Sequence, residues 1–188
     1  NACCPLTVVP CANYTHQTRY RLPIAPSPNL QNMLAIYLYP STCYFEATPV
    51  SLGRGTDKPF LQYGHPHMQK GKAFRERNTQ PATFTPKSRP AALTPPQQDR
   101  KCFCTDLSNL TEEQAMQKGI DLSYLIDAYQ QMALDNWFFS AFFEKLIGVS
   151  YVRKMIIQGK SAEEIRATWA EDVAAFRLQR KPYLLYEE

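Results

Sequence analysis

Hydrophobic positions in the second half of the chain recur at the spacing of amphipathic helices. Thr111 with Gln114, and Asp121 further on, carry side chains that cap the free amides of a first helical turn, so each predicts a helix start. After Asp121 the apolar residues fall at i, i+3, i+4 and i+7. This spacing predicts one buried helix face, formed by Leu122, Leu125, Ile126, Tyr129, Met132 and Ala133.

Two more helices are predicted nearer the C-terminus. The first spans 150–158 and ends at Gly159, a residue type favoured just after a helix. The second begins at Ser161, whose spacing to Glu164 is that of a capping box, and is stopped by Pro182. Its inward face is predicted to hold Ile165, Trp169, Val173 and Phe176.

The first part of the chain alternates short apolar runs with proline-rich loop. The run LTVV at 6–9 lies between two prolines and predicts a buried strand. Residues 13–29 are polar and then interrupted by prolines, which predicts a long ordered loop. Asn29 is then expected to cap a helix over 30–39 that Pro40 stops.

Three segments further along carry strand patterns. In 43–48 apolar and polar residues alternate, so a strand there would place Glu46 on the face opposite Phe45. The sequence ATFTP at 82–86 is the one plausible strand of a polar, proline-rich stretch, and RKCFCTDL at 100–107 predicts another strand.

Composition then sets the fold class. The 188 residues and 21.6 kDa suit one domain, and 44% hydrophobic with 20% charged residues is a globular composition. Fourteen of the 15 prolines lie at or before Pro96, so loops and short strands are expected there and helices after it. We therefore predict a single α+β domain over 1–188, with a small mixed sheet and long ordered loops followed by three or more helices.

The charge pattern argues against polyanionic partners. The net charge is only +4, and its excess lies in a stretch that we interpret as solvated loop, because nucleic-acid binders usually add a known motif or a denser basic stripe. No apolar run reaches the ~18 residues of a membrane helix. No signal peptide is visible after Asn1, which suits a piece of a longer protein or a mature form. The basic stretch comprises Lys70, Lys72, Arg75, Arg77, Lys87, Arg89, Arg100 and Lys101.

The spacing of cysteines, histidines and glycines gives little support to a metal site, a catalytic nucleophile or a nucleotide-binding site. Cys102 and Cys104 would share one face of a strand and are expected to be buried free thiols, because the six cysteines lack zinc-site spacing. His65 and His67 could reach one ion from an extended strand, but no third ligand is nearby. There is no G-x-S-x-G elbow and no phosphate-binding loop. We expect no metal and no cofactor.

Groups suited to sugars or carboxylates concentrate between residues 27 and 60. Arg54, between two glycines in SLGRGTDKPF, offers a bidentate fork for a carboxylate, and Glu46 and Asp57 offer carboxylates for acid–base work. Glycosidases need two such carboxyls at the bond they cleave. The alternatives are an ordinary strand carboxylate for Glu46 and a loop brace with Asp57 for Arg54. Neutral hydrogen-bonding groups come from Asn29, Thr48, Ser51 and Thr56.

The same region resembles a known family. LPIAPSPNLQNMLAIYLYPSTCYFEATPVSLGRGTDKPFLQYGHP is similar to the signature of the NamZ-type exo-β-N-acetylmuramidases of bacteria, and QGKSAEEIRATWAEDVAAFRLQRKPYLLY resembles the end of that family. The resemblance implies the α+β C-terminal half of a two-domain protein, with a Rossmann-like N-terminal half and a cleft shared between them. It also implies release of N-acetylmuramic acid from non-reducing ends of peptidoglycan fragments, in the periplasm or outside the cell.

The resemblance assigns roles residue by residue. It places the glutamate of the F-E-G-T motif on Glu46, the G-R-G-T arginine on Arg54, and the P-S-P-N serine and asparagine on Ser27 and Asn29. Arg54 would then select the lactyl carboxylate of muramic acid, and Glu46 would be a catalytic or sugar-orienting carboxylate. A non-catalytic module that binds and positions the muramyl glycan is the alternative. The sequence departs from the family pattern at Ser41, Ala47, Pro49 and His65.

Overall fold

A computed structural model describes residues 4–68 and 80–188 of the chain. These fall in two compact units, a main unit of Leu22–Arg166 and a terminal unit of Asn1–Arg21 with Ala167–Glu188. Of the sequence predictions, those on Cys3 and on Lys70, Lys72, Arg75 and Arg77 lie outside the described residues.

The main unit contains a three-stranded sheet. The strands are β1 (Gln62–His65), β2 (Gln80–Phe84) and β3 (Cys102–Asp106), and β3 lies between the other two. Both pairings are antiparallel, so the sheet is antiparallel and not mixed as expected. The predicted strand at 100–107 is confirmed as β3 and that at 82–86 overlaps β2, whereas β1 was not predicted.

The centre of the sheet follows the predicted alternation of faces. Cys102 and Cys104 are fully buried free thiols, and Phe103 between them is partly exposed. Cys104 of β3 is paired with Gly64 of β1 on one side and with Ala82 of β2 on the other. The prediction of buried thiols is therefore confirmed for these two cysteines.

The first helix is shifted from its predicted position. Helix α1 spans Met33–Thr42, and the side chain that caps it belongs to Asn32 and accepts from the Ala35 N–H at 2.9 Å. Pro40 lies inside the helix rather than after it. Its missing N–H costs one hydrogen bond, but the Thr42 hydroxyl donates to Leu38 O at 3.0 Å, which helps to hold the last turn.

The strand predicted at 43–48 is wrong. Cys43–Ala47 form a 3₁₀ helix that continues directly from α1. Phe45 is fully buried and Glu46 points outward, so the predicted separation of the two side chains holds although the backbone is helical. Alternation over so few residues does not distinguish a strand from a tight helical turn that follows a helix.

Five further α-helices begin within the described residues of the main unit, which also contain a 3₁₀ helix at Asp135–Phe138. The capping predictions are confirmed. Thr111 and Gln114 form a reciprocal capping box, and Ser161 and Glu164 form a second one. Asp121 Oδ1 accepts from the Ser123 N–H at 2.9 Å. The helices are α2 (Glu112–Lys118), α3 (Ser123–Met132), α4 (Phe143–Ile147), α5 (Tyr151–Ile157) and α6 (Ala162–Ala167).

Aromatic side chains join the sheet to the helices. The ring of Phe45 stacks on that of Tyr63 at 4.7 Å between centroids, and Tyr63 contacts Tyr124 of α3 at 6.1 Å. Of the stripe predicted on α3, Leu122, Leu125, Ile126 and Met132 are buried, whereas Tyr129 is half-buried and Ala133 is exposed at the helix end. The face of α3 that packs into the core is thus largely the one that periodicity indicated.

Two predictions fail in the terminal unit. Residues 6–9 form no strand and are exposed, because the described chain provides no neighbouring strand for them to pair with. Helix α6 ends at Ala167 and a separate helix α7 spans Ala170–Arg180. Ile165 on α6 is buried, whereas Val173 and Phe176 on α7 are exposed, so the predicted inward face is not continuous.

Contacts between the two ends of the chain form the rest of the terminal unit. The His16 N–H donates to Glu187 O at 2.9 Å, and the rings of Tyr14 and Tyr186 meet edge to face at 4.8 Å. Cys4 and Cys11 are exposed free thiols, unlike those of the sheet. Among the described residues, no helix combines the length and apolar character needed to cross a bilayer.

Candidate functional site

The main unit carries a cavity of about 190 Å³ beside the 3₁₀ helix. Its volume is below the ~300–1,000 Å³ typical of complete ligand sites, so it suits one sugar ring or one wall of a larger cleft. One part of its surface is polar and the rest is apolar. The cavity is lined by Phe45, Glu46, Thr48, Val50, Leu52, Arg54, Pro96 and Phe142.

An ion pair forms the polar part of the cavity. Arg54 Nη2 donates to Glu46 Oε1 at 2.6 Å, and the two side chains remain 38% and 28% exposed. The guanidinium lies over the Phe60 ring at 5.3 Å, which adds a cation–π contact. The Arg54 Nε–H has no hydrogen-bond partner among the described residues. This Nε is itself buried, so the exposed part of the Arg54 side chain lies in its other atoms.

Two glycines fix the loop that presents Arg54. Gly53 and Gly55 have φ of +72° and +78°, in the left-handed region where side chains are strained. Gly55 also packs so closely that an added Cβ would lie 2.3 Å from Lys87 O. The loop thus passes tightly over the chain at residue 87, and Arg54 is held at its outer bend.

Thr48 is the third polar residue on the cavity. Its hydroxyl donates to Phe45 O at 2.8 Å and accepts from the Val50 N–H at 3.2 Å. These bonds close the end of the 3₁₀ helix that carries Glu46. Thr48 therefore shapes the cavity wall, and its hydroxyl is already engaged.

Ser51 and Thr56 support the Arg54 loop from beneath. Ser51 is fully buried, and its Oγ accepts from the Gly53 N–H at 3.3 Å. The Thr56 hydroxyl donates to Gly53 O at 2.6 Å and accepts from Gln62 Nε2 at 3.0 Å. Neither side chain is among those that line the cavity, and their proposed substrate contacts stay a prediction.

The remaining candidates lie away from the cavity lining. Ser27 Oγ accepts from the Asn29 N–H at 3.3 Å, and Asn29 Nδ2 donates to Ala91 O at 3.0 Å, so both order the proline-rich loop. Asp57 is exposed and pairs with Arg89 at 2.6 Å. The brace between Arg54 and Asp57 considered above is therefore not formed, because each residue has another ionic partner.

Burial raises the pKa of two side chains next to the ion pair, Cys43 and Tyr39. Burial, reinforced by the Glu46 charge, raises the pKa of the Cys43 thiol to about 11. Burial and the Glu46 charge also raise the pKa of Tyr39, which contacts the Phe60 ring at 5.3 Å. At neutral pH both groups are neutral, so neither adds a negative charge beside the ion pair.

The two histidines weighed as metal ligands interact with each other. His65 Nδ1 accepts from the His67 N–H at 3.1 Å, and the rings meet edge to face. Burial, followed by the nearby His67 and Arg100, lowers the pKa of His65 to about 4. In the described part of the chain, no three His, Cys, Asp or Glu side chains are grouped so that they could hold a metal ion.

Two apolar residues of the cavity, Pro96 and Phe142, were not candidates from the sequence. Pro96 and Phe142 are 50 and 96 residues from Glu46 in the chain and reach it only through the tertiary fold. The aromatic run WFFSAFF at 137–143 gave a signal for exposed aromatic residues, since it contains more large rings than one buried helix face needs.

Fold and site together define an α+β domain with a carboxylate–guanidinium pair on an open cavity. Residues 37–186 match the family model described as Exo-beta-N-acetylmuramidase NamZ, C-terminal, and the chain belongs to this family. The resemblance seen in the sequence motifs is thereby confirmed.

Individual relatives agree with the family assignment. The chain is 31% identical to Peptidoglycan beta-N-acetylmuramidase NamZ of Bacillus subtilis (strain 168), over 96% of this chain and 45% of that protein. A crystal structure of a DUF1343 family protein from Bacteroides fragilis superposes with a TM-score of 0.89 and 58% identity, over 97% of this chain and 49% of that one. The chain therefore spans about half the length of these relatives.

A second DUF1343 family protein from Bacteroides fragilis shares the fold at lower identity. Its crystal structure has a TM-score of 0.66 with 17% identity, over 87% of this chain and 45% of that chain. At this level of identity the likeness bears on the fold alone.

Proposed function

We propose that the chain is the C-terminal part of an exo-acting glycoside hydrolase that releases N-acetylmuramic acid from non-reducing ends of peptidoglycan fragments. The observation that carries the proposal is the exposed Glu46–Arg54 pair, which lies on a cavity too small to be a complete ligand site. The printed activity of the Bacillus subtilis relative supports the same substrate class.

The chemistry of the substrate fits this pair. N-acetylmuramic acid carries a lactyl carboxylate that N-acetylglucosamine lacks, so a fixed cation distinguishes the two sugars. The Arg54 side chain is 38% exposed and spends one Nη2 donor on Glu46, and a guanidinium has five N–H donors that can bind a carboxylate in parallel pairs. We infer that Arg54 binds the lactyl group while Glu46 holds the guanidinium in place and faces the sugar.

The second catalytic group belongs, in this proposal, to an N-terminal Rossmann-like domain that completes the cleft. Glycoside hydrolysis usually needs one carboxyl to donate a proton and another to act as base, nucleophile or charge stabiliser. Glu46 is paired with a cation, which suits the second role. This chain alone is expected to be inactive, and the complete protein is expected to act in the periplasm or outside the cell.

One observation favours a second candidate, a module that binds and positions muramyl glycan without catalysing its cleavage. Glu46 Oε1 is engaged by Arg54, so in this candidate function the carboxylate serves to fix the guanidinium. In that case the substrate and site remain the same, and all of the catalysis belongs to the other domain.

Replacement of Arg54 by Lys in the full-length protein tests the selector role. A lysine keeps the charge but loses the planar pair of donors, so kcat/KM for the para-nitrophenyl β-glycoside of N-acetylmuramic acid should fall about 10- to 100-fold. Activity on the matching N-acetylglucosaminide should fall by less than about threefold, because that sugar has no lactyl carboxylate.

Arg89 provides the matched control for this experiment. It also forms an ion pair at 2.6 Å and is similarly exposed, but it does not line the cavity. Arg89→Lys should leave both activities unchanged. Equal losses of both activities in Arg54→Lys would contradict selection by Arg54 and would indicate a general structural effect.

A further inference from the structure

Phe142 is an exposed aromatic side chain on the wall of the Glu46–Arg54 cavity. It is 46% exposed, whereas its neighbours Phe139 and Phe143 are buried in the aromatic core. The rings of Phe139 and Phe143 pack in the core, but much of Phe142 faces solvent. An exposed apolar surface next to convergent polar groups is typical of a ligand-binding groove.

Hydrogen bonds fix the backbone of the segment that carries Phe142. The Ser140 N–H donates to Ala47 O at 2.8 Å, which ties the loop before Phe142 to the end of the 3₁₀ helix that carries Glu46. Arg153 Nη2 donates to Ser140 O at 2.6 Å, and the Phe142 N–H bonds to Ser140 Oγ at 3.3 Å. The buried ring of Phe143 anchors the next residue. A backbone fixed in this way places the side chain beside the cavity, so only rotation of the side chain itself must be ordered when a ligand packs on it.

We propose that Phe142 is a substrate-binding residue that stacks on the apolar C–H face of the N-acetylmuramic acid ring. A pyranose has a polar rim of hydroxyl groups and a face of C–H groups, so it needs both kinds of surface. The cavity supplies charged groups from Glu46 and Arg54 together with an aromatic face from Phe142. This inference rests on the proposed function, because it takes its ligand from that proposal.

The stacking role differs in a measurable way from a packing role. A residue needed for the core lowers the stability of the protein when truncated, whereas a half-exposed ring that contacts substrate mainly changes substrate binding. A tyrosine keeps the flat aromatic face, and a leucine keeps apolar volume without it. The series Phe142→Tyr, Phe142→Leu and Phe142→Ala therefore separates ring stacking from simple apolar contact.

The test measures kcat and KM of these three variants in the full-length protein, on the para-nitrophenyl β-glycoside of N-acetylmuramic acid. Phe142→Tyr should behave like the wild type, whereas Phe142→Leu and Phe142→Ala should raise KM about 5- to 15-fold with kcat within about twofold. Phe142→Ala should leave the thermal midpoint nearly unchanged. Phe176, which is 59% exposed on α7, is the matched control, and Phe176→Ala should leave KM unchanged.

A wild-type KM for Phe142→Leu would overturn the stacking proposal, because a flat ring would then be unnecessary. A wild-type KM for Phe142→Ala would overturn it as well. Saturation-transfer NMR with the methyl β-glycoside of the same sugar separates this failure from failure of the proposed function. If the wild-type protein binds this sugar without hydrolysing it, and Phe142→Ala binds it more weakly, the proposed hydrolysis is wrong and stacking is supported. If the wild-type protein does not bind the sugar, both proposals are wrong.

Discussion

Replacing Glu46 by Gln in the full-length protein is expected to lower kcat on the muramic acid glycoside by about 10²- to 10⁴-fold, the usual contribution of a positioned catalytic carboxylate. KM should stay within about threefold, because the glutamine amide oxygen can still accept the bond that Arg54 Nη2 now donates to Glu46 Oε1 at 2.6 Å. Steady-state kinetics measure both constants.

Glu144 gives a matched control for Glu46. It also accepts from an arginine, Arg153 Nη2, at 2.6 Å, and its side chain is about as exposed, but it is not part of the cavity lining. Glu144→Gln should leave kcat unchanged. If Glu46→Gln keeps its turnover and only KM rises, the positioning module is the better description and the catalytic role of Glu46 is wrong.

Local signals predicted the helices that contain their own caps. The capping boxes at Thr111 and Ser161 satisfy free amides within one turn, so neighbouring residues are sufficient to set the helix start. Where the outcome depended on distant partners the prediction failed. The run LTVV has strand composition but no strand to pair with in the described chain, and the stripe after Ser161 is interrupted where α6 ends at Ala167.

The same distinction applies to the candidate site. Glu46 and Arg54 are eight residues apart, and the family motif that contains both made them candidates from the sequence alone. Their direct pairing was not predicted, because it depends on the 3₁₀ helix at Cys43–Ala47 in place of a strand. Phe142 and Pro96 join the cavity through tertiary packing of separate segments. The aromatic run at 137–143 indicates exposed rings, but a single sequence does not show which cavity such a ring lines.

Gly55→Ala is expected to destabilise the protein by about 3 kcal/mol or more. Roughly 1 kcal/mol comes from a side chain at a left-handed φ of +78°. The rest comes from the new Cβ, which would lie 2.3 Å from Lys87 O and 2.8 Å from Pro95 Cγ. A backbone oxygen cannot rotate away as a side chain can, so the loop must shift. Urea unfolding followed by circular dichroism measures the change in free energy of unfolding.

Gly148→Ala separates the two causes of this loss. Gly148 has nearly the same φ, +79°, but an added Cβ meets nothing within 4 Å, so it should cost only the conformational term of about 1 kcal/mol. The difference of about 2 kcal/mol between the variants would then measure the close approach of the loop to residue 87. Equal losses would mean that the loop relaxes freely. The guanidinium would in that case not be held by close packing, and its pairing with Glu46 would have to position it instead.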